Sequence, residues 1–232
     1  MNCDHKNNFS TQARSVIFGD SNHLNNEIIQ VVSEFIAEND IDNLMLELPA
    51  EITDKFRLAS RKERINILEN WSALPSEMMI LIESAEAKGV NVIFADSMSN
   101  ILAARNFYDA YSQDPFGKGG RELIALRVES NQRFAQQMQS LPHGERNVLF
   151  IGLGHISGSN DINNIVGDGV ETVSIFQTPW SQSRIESGLQ AQIDDFEWPD
   201  KCVYIDLPDS ATIPMVTPKP SDHTSQSLNS KR

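Results

Sequence analysis

An α/β fold, with a mainly parallel central sheet and helices on both of its faces, is predicted by three features of the chain. Six short apolar runs enriched in β-branched or aromatic residues recur along it. Segments of helical period separate them, and most of the runs lack apolar–polar alternation, as strands covered on both sides do. Strands alternating with helices call for right-handed crossovers, and therefore for parallel neighbours.

The first run, Ser15 to Phe18, is closed by Gly19 and followed by a helix in which Ile28, Val32, Phe35 and Ile36 form one stripe while Glu27, Glu34 and Glu38 fall elsewhere. Leu44 to Leu48 is the second strand. The segment "PAEITDKFRLASRKERINILENW" after it reads as one helix, opening at a Pro with acids in its first turn. "PSEMMILIESAEAKG" starts in the same way and stops at Gly89. Asn91 to Ala95 is the third strand; "MSNILAARNFYDAY" and "GGRELIALRVESNQRFAQQMQSL" are two more helices. Asn147 to Leu153, Thr172 to Phe176 and Cys202 to Leu207 complete the strands, with an antiparallel edge position left open for the last. One domain over residues 15–207 is expected, preceded by a polar leader at 1–14 and followed by a Pro-, Ser- and Thr-rich tail at 208–232 with little to bury, read as disordered.

With 232 residues and 40% hydrophobic content the chain can bury a substantial core. Its 19 basic against 32 acidic residues give a formal charge of −13, which repels phosphate backbones and anionic bilayers, so no nucleic-acid partner is expected. No apolar run approaches the length of about 20 residues that spans a membrane. The first fourteen residues lack the hydrophobic segment of a secretory signal, and a soluble protein is expected. Cys3 sits in a polar terminus and Cys202 in an apolar run, so no disulfide framework and a reducing compartment are expected.

In an open parallel sheet, ligands bind beyond the carboxyl ends of the strands, where helix N-termini add partial positive charge. Titratable residues gather at those ends. Asp20 and His23 follow the first strand, Glu47 lies in the second, Asp96 ends the third, and His155 follows the fourth in "GLGHISG". Glu47 stands out because a carboxylate between Leu46 and Leu48 in a buried strand is costly unless something compensates it. Each residue also has an ordinary structural use: loop hydrogen bonding for Asp20, packing at a helix start for His23, an N-cap for Asp96 and a turn position for His143 in "LPHGER". "GLGHISG" does not make a dinucleotide fingerprint, since Ser157 stands where the third glycine is needed and the next strand ends at Gln177 instead of an acid. Its glycines serve to bring the backbone round and present His155 to the crevice.

Taken in order, Gly19-Asp20-Ser21-Asn22-His23, Glu47, "VESNQRFAQQM" and "VLFIGLGHISG" resemble the motifs of the superfamily that joins erythromycin esterases, ChaN-type iron-regulated proteins and TIKI/TraB proteases. The similarity spans roughly residues 15–160. Asp20 stands where the superfamily usually has Glu, and Ser130 where it commonly has Arg. Arg127 and Arg133, three positions to either side, are both spaced to reach the same helix face as Ser130. The compact size, polar leader and acidic charge also resemble injected, type III effectors of plant-pathogenic bacteria, which implies action inside a host cell and a host protein as partner.

Three functions follow from the resemblance. A metal-free hydrolase of ester, amide or related bonds would use His23 as general base, its ring held by Glu47 or Asp20, with His155 or an arginine stabilising the oxyanion. A metal-dependent hydrolase similar to the TIKI proteases would bind a divalent ion through His23, His155 and Glu47. A catalytically degenerate scaffold would instead engage a host partner. Haem binding of the ChaN kind lacks support in the residues, with no lipoprotein cysteine after a signal and no tyrosine ligand nearby.

Overall fold

The computed structural model describes residues 3–5, 9–20, 26–113, 118–156, 162–166, 169–176 and 199–205. The strands are β1 (Asp4–His5), β2 (Ser15–Asp20), β3 (Asn43–Pro49), β4 (Asn91–Asp96), β5 (Asn147–Gly152), β6 (Val170–Phe176) and β7 (Lys201–Tyr204). The helices are α1 (Asn26–Glu38), α2 (Thr53–Leu58), α3 (Arg61–Leu68), α4 (Pro75–Ala87), α5 (Met98–Gln113), α6 (Lys118–Ser140) and α7 (Ile162–Val166). Among the described residues the strands form one seven-stranded sheet in the order β1-β7-β6-β2-β5-β3-β4. Every pair in it is parallel.

Period-two geometry divides the core between the faces. Val16, Phe18, Leu44, Leu46, Val148 and Phe150 pack with the apolar stripes of α1 and α4. Ile17, Met45, Leu149 and Ile151 point the other way, against Phe134, Ala135 and Met138 of α6 and Ile162 of α7. The expected absence of alternation is thus explained: successive side chains enter two different apolar layers. Burying each large side chain stabilises the fold by about 1.5–3 kcal/mol relative to leaving it in water.

At the amino ends of the strands a row of amides fixes the register. Asn43 Nδ2 donates to Asn147 Oδ1 at 2.9 Å, Asn91 Nδ2 donates to Asn43 Oδ1 at 3.0 Å, and Asn147 Nδ2 donates to Ser15 Oγ at 3.2 Å. These residues are register partners in β4, β3, β5 and β2. A one-residue slip would unpair buried amides as well as invert the apolar faces.

Several expectations are corrected. The segment from 49 to 71 is not one helix: a 3₁₀ turn at Ala50–Ile52 leads into α2, and the chain breaks at Ala59 before α3. The break coincides with Ser60-x-x-Glu63, where Glu63 Oε2 accepts from Ser60 N at 2.8 Å and Ser60 Oγ at 2.6 Å, a pairing that favours a fresh helix start. Gly19 does not end the first strand. It lies inside β2, and a side chain there would collide with Ile156 and Leu153.

The last strand is parallel and lies inside the sheet, between β6 and β1. Part of the polar leader belongs to the sheet, since Asp4–His5 extend β7 and Phe9 packs edge-on against Phe18. No disulfide is expected from the sequence, yet Cys3 and Cys202 form one, with Cα atoms 4.7 Å apart, and the reducing compartment inferred from its absence loses its basis. Their separation of 199 residues hides the pairing from any local reading. The tail at 208–232 lies outside the described residues.

Candidate functional site

Two turns of the chain carry titratable groups to one end of the sheet. In β3, pairing with β4 shifts between Leu46 and Pro49, so Glu47 sits at an irregularity while Leu46 and Leu48 stay buried. Its Oε2 accepts the N–H of Gly152, the last residue of β5, at 2.9 Å. This bond from a neighbouring strand end is part of the compensation that a half-buried carboxylate requires.

After Gly152 the chain tightens into a 3₁₀ turn, Leu153–His155. Two glycines let that turn seat closely. Ile156 lies directly on the backbone of Gly19, and the Arg127 guanidinium lies where a Cβ on Gly154 would be, its Cζ 2.7 Å from that position. Neither glycine has a left-handed φ, so close approach is what each supplies.

His155 is buried, with its side chain 11% exposed. Its Nδ1 is 2.6 Å from Asn131 Oδ1, and Asn131 Nδ2 donates to the His155 carbonyl at 3.4 Å. An asparagine anchored in this sense offers only an oxygen to the ring, so Nδ1 carries the proton and Nε2 is the basic nitrogen of the neutral imidazole. Nε2 lies 3.5 Å from Glu47 Oε1. The edge of Phe134, with ring centroids 5.7 Å apart, closes the other flank.

Asp96 belongs to a second, deeper network. Its carboxylate accepts Ser97 N at 2.7 Å and Ser130 Oγ at 3.0 and 3.1 Å, while Asn100 Nδ2 donates to Ser130 Oγ at 2.6 Å. The expected N-cap role is not seen: the first turn of α5 closes on the Ser97 carbonyl, and Glu51 Oε2 accepts the Met98 N–H at 2.9 Å. Burial raises the Asp96 pKa above its ordinary 3.8, opposed by the Ser97 N–H; the Glu47 charge adds to the rise, and the Ser130 hydroxyl and His155 work against it.

Native Asp96 therefore keeps its proton to higher pH than the unfolded chain does. Stability falls as pH rises through the window that begins near 3.8 and ends at the raised native value. We expect Asp96→Asn to gain stability relative to wild type across that window and to hold a constant difference above it. Chemical denaturation at a series of pH values checks this, and a difference independent of pH would contradict it.

The two arginines part company. Arg127, one turn before Asn131 on the inward stripe of α6, packs against Gly154 beside the histidine. Arg133 pairs with Glu129 at 2.7 Å on the more exposed side of the helix, and lines a separate cavity beside Asp96. Its pKa is raised first by that hydrogen bond.

Asp20, buried at the end of β2, and Glu47 line a cavity of about 240 Å³ whose walls include Trp71, Leu74, Met78 and Arg105. His23, the expected base, lies outside the described residues. His143 is far off in its turn, 3.5 Å from Arg14 Nη1. Of the expected residues, the structure thus brings together Glu47 and His155 directly, Asp20 with Glu47 across the cavity, and Asp96 behind them. Sequence reasoning missed Asn131 and Ser130 as site residues although both lie in "VESNQRFAQQM"; the signal was a pair of polar residues interrupting an inward apolar stripe.

Among the described residues no group of three or more His, Cys, Asp or Glu side chains is arranged to hold a metal ion. Glu47 Oε1 and His155 Nε2 are two donors of suitable type. Their separation is close to the roughly 3.4 Å between two ligands that share one ion at about 2.1 Å in tetrahedral geometry.

No protein-family profile matches the chain, and no curated protein matches it. Similar solved structures include ChaN of Campylobacter jejuni, described for cofacial heme binding, with 13% identity over 71% of this chain and 82% of that one at a TM-score of 0.48. The type III effector HopBA1 has 17% identity over 71% of this chain and 77% of its own, at a TM-score of 0.49. RRSP, a MARTX toxin effector domain from Vibrio vulnificus CMCP6, has 16% identity over 85% of this chain at a TM-score of 0.46, and the match spans 38% of its own length. A ChaN protein and a type III effector are among the groups that the motifs resemble; at these identities the likeness assigns no activity to this chain.

Proposed function

We propose that the crevice is a hydrolytic site for a small ester, amide or related bond, in which His155 and Glu47 handle the proton of the attacking water. The observation that carries this reading is the chain Asn131 Oδ1, His155 Nδ1, His155 Nε2, Glu47 Oε1, with its 2.6 and 3.5 Å separations. Asn131 holds the ring in one tautomer and one orientation. Nε2 takes the proton of a water that attacks the scissile carbonyl. The resulting imidazolium is stabilised by Glu47, and it returns the proton to the leaving group as the tetrahedral intermediate collapses. Arg127, fixed against the residue before His155, supplies positive charge toward the developing oxyanion. In the same reading the chain acts as an effector inside a host cell.

The donor pair Glu47–His155 also fits a divalent ion, which would supply Lewis-acid activation of water and carbonyl. Asn131 would then orient the imidazole as an outer partner of the ligand.

The test is a panel of chromogenic esters and amides assayed with wild type and Glu47→Gln, with folding followed by circular dichroism and a chelator arm alongside. We expect Glu47→Gln to fold and to lose about 10²-fold or more in rate. Loss on chelation, restored by one metal, would move the chemistry to the ion. Hydrolysis unchanged in a well-folded Glu47→Gln would remove the proposal, and a chain inert on every substrate would favour a binding scaffold.

A further inference from the structure

Cavity shape and charge say more about the ligand than the proton-handling pair does. The cavity runs from a buried floor, where Asp20 and Phe150 lie, to an exposed rim where Arg105 stands. Its volume of about 240 Å³ lies below the usual range of about 300–1,000 Å³ for sites that take drug-sized molecules. Its occupant is therefore small, or is one group of something larger. Trp71, Leu74 and Met78 make one wall apolar. Arg105 is the one cation among the described lining residues, in a chain of formal charge −13.

That guanidinium is held in place before any ligand arrives. Its Cζ lies 5.1 Å from the Trp71 ring centroid, and its Nη2 donates to the Asn70 carbonyl at 2.6 Å. The ring and the carbonyl both restrain the side chain, so part of its freedom is already lost before a ligand binds. A guanidinium carries five N–H donors in a planar fork that matches a carboxylate or phosphate edge. The lining also holds two carboxylates: Glu47, which accepts the Gly152 N–H and reaches His155 behind the cavity wall, and Asp20 at the buried floor, so the anion's place is at the Arg105 rim, away from both.

We propose that the cavity recognises a small amphipathic anion, with its apolar body against the wall that Trp71 shares with Leu74 and Met78 and its negative group on Arg105. Resting on the hydrolytic reading, this names the substrate class: an apolar ester or amide whose anionic group lies away from the scissile bond. Arg105 and Trp71 are then the specificity-determining pair. If Arg105 were only a staple between α5 and the loop before α4, its replacement would alter stability and leave charge preference untouched.

Binding of three probes of one shape to the full chain, measured by calorimetry, tests the proposal: 1-naphthoate, 1-naphthylmethanol and 1-naphthylmethylammonium. We expect wild type to prefer naphthoate over the alcohol by about tenfold or more, the scale of one hydrogen bond to a charged group. Arg105→Gln should bring naphthoate down to the alcohol's affinity, Arg105→Lys should keep part of the preference, and Trp71→Ala should weaken all three, with Trp71→Phe as the folded control. Naphthoate selectivity in a chain that hydrolyses nothing would leave the recognition standing and remove only the chemistry. Equal affinity for the three probes, no measurable binding, tightest binding of the ammonium, or an unchanged preference in Arg105→Gln would each overturn it.

Discussion

Replacing His155 by alanine is expected to lower the hydrolytic rate by about two to four orders of magnitude, the range over which a positioned acid–base group contributes. The loss comes with a modest structural cost, because Asn131 Oδ1 is left without the ring N–H it accepts at 2.6 Å. Losing one such hydrogen bond costs about 0.5–1.5 kcal/mol. Thermal melting separates the two effects. Added imidazole should restore part of the activity of His155→Ala, since the space left open faces Glu47; a variant inactive through misfolding would not respond. Asn131→Ala keeps the ring but releases its tautomer, so it should lose less than His155→Ala and gain nothing from imidazole. Full activity in a folded His155→Ala would show that the proton leaves by another route, with His23 the first to test.

How much of this site the sequence displays depends on the distance over which each signal acts. The strands are visible because each is a short apolar run whose successive residues enter two covered layers, as Ile17 and Phe18 do. The gathering of Glu47 and His155 is visible because parallel strands place all their carboxyl ends on one side. Asn131 is not, since a polar residue on a long helix reads as solvated until the docking of α6 shows it buried, at 3% exposure. The choice between Arg127 and Arg133 needs the same information. Spacing puts both within reach of Ser130, and only the contact with Gly154 shows which one turns inward. Trp71, in the loop before α4, and Arg105, on α5, meet with no local pattern to announce it.

The second large effect concerns the sheet edge. Reducing Cys3–Cys202 is expected to lower stability by about 2–4 kcal/mol, the usual contribution of a native disulfide. In the chain-entropy account the cost grows with the loop, and this one encloses nearly the whole chain, with a sequence separation of 199. What the bond holds is small: β1 is two residues long, paired to β7 through Asp4 with Val203 and His5 with Tyr204. Two residues of ladder hold an edge strand weakly, so the covalent link adds to the Phe9–Phe18 contact in keeping the amino-terminal segment on the sheet. Each kcal/mol shifts the melting point of a chain this size by roughly 2–4 °C. Cys3→Ser should therefore melt several degrees below oxidised wild type and ignore dithiothreitol, while wild type in dithiothreitol should fall to the same value. Cys3 is the better position to change because Cys202 is buried, at 2% exposure, and its replacement would add a packing defect of its own. A wild-type melting point indifferent to reductant would show that the link contributes nothing and that strand pairing and packing hold this edge without it.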